Sequence, residues 1–435
     1  SVHRAKLHQP QPVFAQACVG PWPRLATHRR GDQLISSLVL AAENRAAMRS
    51  SRLLQLPRRG LSRSLAMRGP PSLALLGAAA FLARPRAPAV SMAAPPPAGE
   101  RPKSMMAGQG SVLVRNGEAA APWLGKQQLL NDFAGAYTTA RTVDGTAVFE
   151  LAMHCSRLHD TAAAVWEREL AGGAEQKTAT ACKKAHSFLK SEGPLGLKPL
   201  LRHEISLALE FLGGHGASGD AREDSVDYQV TVVLTCDTVG AHTPIDRGFD
   251  IFTFVQPMPT IEPMVDVQAH RADRSNPTIK DVQWVRDRKS LEDLQAKAGV
   301  NEVIMFDATG AVTEGLQTNF FAVTSDGTVL TAPDELVLAG TVRKVVLEVA
   351  QESGIPVRFE GPNIHDLDQW ESCFICSTSR LVKPIRTVEV PEFKAQRSFA
   401  SQGSMAHRFE QLVLDAFRSH AEPLVRTGKS AIRAA

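Results

Sequence analysis

PTIKDVQWVRDRKSLEDLQAKAGVNEVIMFDATGAVTEGLQTN, residues 277–319, joins a lysine, an amphipathic segment, an apolar strand and a carboxylate in one short span. Between Trp284 and Leu294 the apolar residues Trp284, Leu291 and Leu294 recur at near-helical spacing among Arg286, Asp287, Arg288, Lys289, Glu292 and Asp293, which predicts a helix with one buried face. Val303 to Phe306 reads as a strand and Asp307 to Gly310 as a polar turn. The glycines at 310, 315 and 327 punctuate two further short strands, Ala311–Glu314 and Asn319–Thr324. Lys280 thus stands at a helix entrance, where a side chain can enter a cleft, and Glu314 closes a strand. Spacing alone does not separate either residue from ordinary surface charges.

Two later segments complete the pattern. Leu338-Ala339-Gly340-Thr341-Val342-Arg343 opens an apolar-periodic helix, and Ser377-Thr378-Ser379 follows an apolar strand. Together with Lys280, Glu314-Gly315 and Asn319-Phe320, in this order, they resemble the class IV aminotransferases. These are fold-type IV enzymes of pyridoxal phosphate (PLP), and they include branched-chain aminotransferases, D-amino acid aminotransferases and aminodeoxychorismate lyases. The resemblance runs over roughly residues 130 to 390. It implies an α/β (α+β) two-domain protein, with a small α/β domain over 110–262 and a larger, pseudo-barrel, PLP-binding domain over 263–425. A leader and linker over 1–109 and a tail over 426–435 complete the expected division.

The same resemblance implies roles. Lys280 is the residue that bonds the cofactor covalently, a task for an amine kept partly neutral by burial and neighbouring cations. Glu314 lies against the pyridine nitrogen and keeps it protonated. Arg157, in His154-Cys155-Ser156-Arg157, grips the phosphate as a permanent, bidentate cation. Backbone N–H groups of Thr341 and Val342 at a helix start, and the hydroxyls of Thr378 and Ser379, add to the phosphate or substrate site. Val342 stands where relatives carry a hydroxyl. Arg274 is assigned to the cofactor's phenolic oxygen. Tyr137 falls where relatives contact the substrate carboxylate, with a buried structural tyrosine as the alternative. In Asp237-Thr238-Val239-Gly240-Ala241-His242, His242 matches a loop that in relatives reaches the partner subunit, while Gly240 replaces the arginine of that loop. A homodimer follows from this part of the resemblance, and no metal site does.

Composition bounds the rest. Of 435 residues 43% are apolar, enough for sizeable cores. The net charge of +4 averages an Arg-rich first hundred residues, with fourteen Lys/Arg against three acids, and an acidic remainder, so it does not argue for nucleic acid. Residues 48–69 are rich in Arg and Ser and free of acids, in the manner of an organellar transit peptide. Pro71–Ala83 is apolar but too short to span a bilayer. The expected destination is a plastid, with the mitochondrion as alternative, and no membrane segment in the mature form. Gly214–Gly219 formally matches a dinucleotide fingerprint but follows a helix and precedes a strand, the reverse of the phosphate-cradling order, and reads as a loop. Cys373-x-x-Cys376 lies inside a strand-like run and reads as core thiols rather than a redox pair. The favoured reaction is amino transfer between an amino acid and a 2-oxo acid. A PLP-dependent lyase and a non-catalytic PLP-binding protein are the alternatives.

Overall fold

The structure, a computed structural model, describes residues 110–120, 124–173, 175–213 and 226–424. The leader, the 214–219 loop and the 426–435 tail lie outside the described residues.

The first sheet is built from β1 (Val112–Arg115), β2 (Glu118–Ala119), β3 (Ala136–Val143), β4 (Ala147–Phe149), β5 (Tyr228–Thr235) and β6 (Asp250–Pro257). The second contains β7 (Val265–Arg271), β8 (Glu302–Phe306), β9 (Val312–Gly315), β10 (Asn319–Thr324), β11 (Val329–Thr331), β12 (Val357–Phe359), β13 (Trp370–Ser377), β14 (Leu381–Val390) and β15 (Ala395–Ser398). The last strand, β16 (Ala421–Pro423), returns to the first sheet beside β4, so that sheet runs β16-β4-β3-β5-β6-β1-β2 and draws on both ends of the described chain. This return departs from a clean division at residue 262.

Alternation along β5 sets the two faces of the first sheet. Val230, Val232 and Leu234 pack under the helices α2 (Leu151–Ala171), α3 (Gln176–Glu192) and α4 (Leu197–Gly213), while Gln229, Thr231 and Val233 point the other way. On that second face Tyr137 lies opposite Val233, Thr139 opposite Thr231 and Arg141 opposite Gln229. The short helix α1 (Lys126–Asp132) covers part of it through Leu129 and Leu130. Helix α2 starts at Leu151, three residues ahead of the expected His154. Glu150 takes a left-handed φ of 51°, and the carboxylate of Glu422 on β16 accepts the N–H of Ala152 in the first turn.

The second sheet closes on itself. The path β10-β13-β14-β7-β8-β9 is completed by pairing of β9 with β10, giving a barrel whose parallel pairs are β14/β7 and β7/β8. The predicted helix over Trp284–Leu294 is two helices, α5 (Gln283–Asp287) and α6 (Lys289–Ala298), broken at Arg288. The break has a polar cause: the guanidinium of Arg288 is buried, donating to the carbonyl of Leu316 at 3.1 Å and to Glu292 at 2.9 Å. Helix α7 (Thr341–Glu352) begins after Gly340 as expected, and α8 (Met405–Ala416) packs Ala406, Phe409 and Val413 into the core shared with α7. Among the described residues no helix is long and apolar enough to cross a membrane.

Candidate active site

A cavity of about 650 Å³ lies where the second face of the first sheet meets the rim of the barrel. Tyr137, Arg157, Arg274, Lys280, Glu314, Thr341, Thr378 and Ser379 all line it. Of the expected site residues only Val342 and His242 are not on that wall.

Lys280 is placed by its backbone. Its carbonyl accepts the N–H of Tyr137 at 3.1 Å, its own N–H donates to Thr161 Oγ1 at 3.0 Å, and the next residue, Asp281, bridges to Ala136. Gly135, whose carbonyl accepts the N–H of Val282, is itself held close to β5, where a Cβ would lie 2.0 Å from the carbonyl oxygen of Leu234. The lysine Nζ comes to rest 4.9 Å from the centre of the Tyr137 ring. Burial, then the cations of Arg157, Arg274 and Arg288, hold its pKa well below the ordinary lysine value, with Glu314 opposing them. The shift favours the neutral, nucleophilic form of the amine.

Glu314 on β9 is buried, with one oxygen 2.9 Å from Arg274 Nη1 and the other accepting the N–H of Leu338 at 3.0 Å. Burial raises its pKa, and Arg274 counters that rise. Arg274 also donates to the carbonyl of Ile279 at 2.5 Å and lies 5.0 Å from the Trp284 ring, so it ties the Glu314 strand to the Lys280 segment. Its Nε alone lacks a partner among the described residues, which leaves less of it for a cofactor oxygen than the sequence suggests.

A second group of wall residues, also tied to the Leu338–Ala339 segment, is built for an anion. Arg157 donates to Thr138 Oγ1 at 2.9 Å and to the carbonyl of Ala339 at 3.2 Å, and among the described residues no carboxylate forms an ion pair with it. His154 Nδ1 sits 3.2 Å from the same guanidinium and 2.8 Å from Thr138 Oγ1. Burial and the adjacent cations keep this histidine neutral. Helix α7 starts at the cavity wall with no side-chain cap, so first-turn N–H groups are available to a ligand. Gly340 allows it, since a Cβ there would meet Asn319 Oδ1 at 2.0 Å. Thr341 Oγ1 and Thr378 Oγ1 lie 2.7 Å apart at this end. The Val342 side chain is fully buried among Val345, Val346 and Val349, so only its backbone can serve. An unpaired buried arginine, an uncapped helix start and two hydroxyls fit a phosphate. A lysine with a depressed pKa and a buried carboxylate on the same wall fit the aldehyde and the ring nitrogen of PLP.

His242 is exposed, and its carbonyl accepts a bond from Asn116 at 3.0 Å. Sequence reading missed Lys126, Gln229, Arg288 and Thr318 on the cavity wall. Gln229 and Thr231 were signalled only as the polar positions of an alternating strand. Cys373 and Cys376, on β13, face different cores and cannot bridge each other. Away from the cavity, Glu150, Glu348 and His420 cluster at metal-ligating distance, but Lys344 binds both carboxylates as an internal counterion.

The family model described as amino-transferase class IV matches residues 135–388. A putative branched-chain-amino-acid aminotransferase of Methanocaldococcus jannaschii is 33% identical over 127 residues, 29% of this chain and 43% of that protein. A D-alanine aminotransferase of Staphylococcus haemolyticus is 27% identical over 168 residues, 34% of this chain and 59% of that protein. The chain therefore spans about half the length of the curated relatives it matches. A hypothetical aminotransferase from Mycobacterium tuberculosis, solved in a PLP-bound form, superimposes with a TM-score of 0.50 at 17% identity, covering 71% of this chain and 99% of that one, and shares the fold. With the family model matching more than half its length, the chain belongs to the class IV aminotransferase family.

Proposed function

We propose that the protein is a PLP-dependent aminotransferase that moves an amino group between an amino acid and a 2-oxo acid. The observation that carries this reading is the presence of Lys280, Glu314 and Arg157 on one cavity wall, each in a chemical state suited to its task. Arg157, the α7 N-terminus, Thr341 and Thr378 would hold the phosphate. Glu314, kept in place by Arg274 and the Leu338 N–H, would accept from the protonated ring nitrogen. When bound, the cofactor supplies an aldehyde carbon that condenses with primary amines and a ring that draws electron density from the substrate Cα. Lys280 Nζ would hold that carbon and, once freed by the substrate amine, would serve as general base and acid, moving a proton between the substrate Cα and the cofactor carbon on the other side of the substrate nitrogen. Tyr137 packs against the lysine and limits its swing.

We also infer a homodimer: the loop carrying His242 is exposed, and Ile245 within it is 88% exposed, an apolar tip suited to a second copy. Sedimentation of the purified chain at monomer mass would remove this part of the reading. On the composition of the leader we assign the protein to a plastid, which a carboxyl-terminal fluorescent fusion of the full chain tests against the mitochondrion. The reaction is tested by the visible spectrum with added PLP. A band that amino acids bleach and 2-oxo acids restore is expected. A band that bleaches with release of pyruvate and no requirement for a 2-oxo acid would replace the transferase with a lyase.

A further inference from the structure

Two helices supply the anion-binding groups of the cavity. Helix α2 carries Arg157, and α7 opens on the wall with Gly340 and Thr341. Arg157 Nη1 reaches across to the carbonyl of Ala339, just ahead of α7. A phosphate gripped from both helices is held well only if their spacing is set before it arrives.

A second contact joins the same helices. Glu150, the residue before α2, accepts from Lys344 Nζ at 2.9 Å, and the Lys344 N–H closes the first turn of α7 onto the carbonyl of Gly340 at 3.0 Å. The carbonyl of Glu150 accepts the N–H of His154, whose ring touches Arg157. From the other side, His420 Nδ1 lies 2.6 Å from Glu150 Oε1, and the His420 carbonyl accepts the Glu150 N–H at 2.9 Å. These bonds hold Glu150 at its left-handed φ of 51°, a conformation that a non-glycine residue keeps only when its surroundings impose it. Lys344 is poorly placed for the stability of α7 itself. It stands near the positive end of the helix dipole and precedes Glu348, the weaker order for an i,i+4 pair. Its bond to Glu150 is the contact that reaches the other helix. Arg157 lies seven residues beyond Glu150, roughly two helical turns, and neither Glu150 nor Lys344 lines the cavity.

We propose that Glu150 and Lys344 clamp α2 to α7 and so fix the spacing between Arg157 and the α7 N-terminus, which makes Glu150 a positioning residue for the cofactor phosphate. The inference rests on the aminotransferase reading and adds to it a pair that acts from outside the cavity.

The test uses the full chain and titrates two ligands by their visible bands: PLP, and pyridoxal, which has the same ring and aldehyde but no phosphate. Glu150→Gln and Lys344→Met are each expected to weaken PLP by about tenfold, the worth of one charge-assisted hydrogen bond, and to leave pyridoxal affinity unchanged. The double variant should be no weaker than either single one, and Lys344→Arg should keep most of the wild-type affinity for PLP. Lys344 is 39% exposed, so its variants report even where Glu150→Gln does not fold. Equal losses for PLP and pyridoxal would mean a general structural role and would overturn the proposal, as would losses that add in the double variant. If the wild type forms no visible band with PLP, the aminotransferase reading falls and this inference with it. If the band forms and amino acids bleach it while the single variants bind PLP as the wild type does, this inference falls alone.

Discussion

The two ends of the cavity balance charge in opposite ways. At Glu314 the buried carboxylate is matched by Arg274, with side chains 4% and 7% exposed, and every strong charge has a partner inside the protein. At Arg157 the guanidinium is buried against hydroxyl and carbonyl oxygens and a neutral histidine, with no counter-charge. One end is a closed ion pair that can brace a ring nitrogen without a ligand's help. The other is incomplete until an anion arrives. On the proposed reading, the difference would orient a ligand carrying both a basic nitrogen and a phosphate.

Lys280→Ala gives the largest expected effect, because it removes the group common to both halves of the reaction. Turnover should fall by about a thousandfold or more, and the lysine-linked absorption band should disappear while the Arg157 end still binds the phosphate. A variant that keeps both band and turnover would show that the comparison has been drawn around the wrong lysine.

Arg157→Met tests the open end. Two charge-assisted bonds to phosphate contribute about 3 kcal/mol together, so PLP affinity measured by equilibrium dialysis should fall by about a hundredfold. Because the cation lacks a counter-charge in the empty site, the melting temperature of the cofactor-free variant should stay level or rise. A fall in cofactor-free stability matching the loss of affinity would mean that Arg157 supports the fold instead.

Arg274→Met tests the closed end and should do the reverse. Leaving Glu314 buried and unpaired costs about 3 kcal/mol of stability in the cofactor-free protein. The double variant with Glu314→Gln should recover a good part of that loss in a denaturant titration. Recovery by the second substitution is the signature of the pair, since independent sites would add their losses.

The elements around this site were legible to different degrees, and the reasons are physical. Strands β8, β9 and β10, the start of α7 and the wall residues Lys280, Glu314, Thr341 and Thr378 follow from local pattern read with the family resemblance. Helix α3 gives little signal, because its buried positions are Ala181, Cys182, Ala185 and Leu189, mostly small residues with a weak apolar stripe. The break at Arg288 depends on the Leu316 carbonyl 28 residues away, and the start of α2 on Glu422 at the other end of the chain, neither of which a window of sequence contains. Lys126 was missed for the same reason. Its partner Gln229 lies on β5, and Gln229 is held in turn from β6 and the turn after β13, an arrangement that local sequence does not contain.

The cationic character of the open cavity should also appear in the stability of the cofactor-free protein against pH, as a smaller effect. Lys126 is held near 8 in the folded state against 10.5 for the free side chain. The unfolded chain therefore binds that proton more tightly. The stability this group contributes is complete above 10.5 and is lost as pH falls through the window down to about 8. Between those limits the wild type should gain on Lys126→Met as pH rises, by on the order of 2 kcal/mol over the window. Lys280 adds in the same direction, because its folded value is also depressed. Glu314 opposes both: its folded pKa is raised, so its contribution is present in acid and lost as pH rises through that value. Denaturant midpoints of wild type, Lys126→Met and Glu314→Gln between pH 6 and 10 would separate these contributions. A Lys126→Met curve parallel to wild type would mean that water already reaches this lysine and that its surroundings are less desolvated than its hydrogen bond implies.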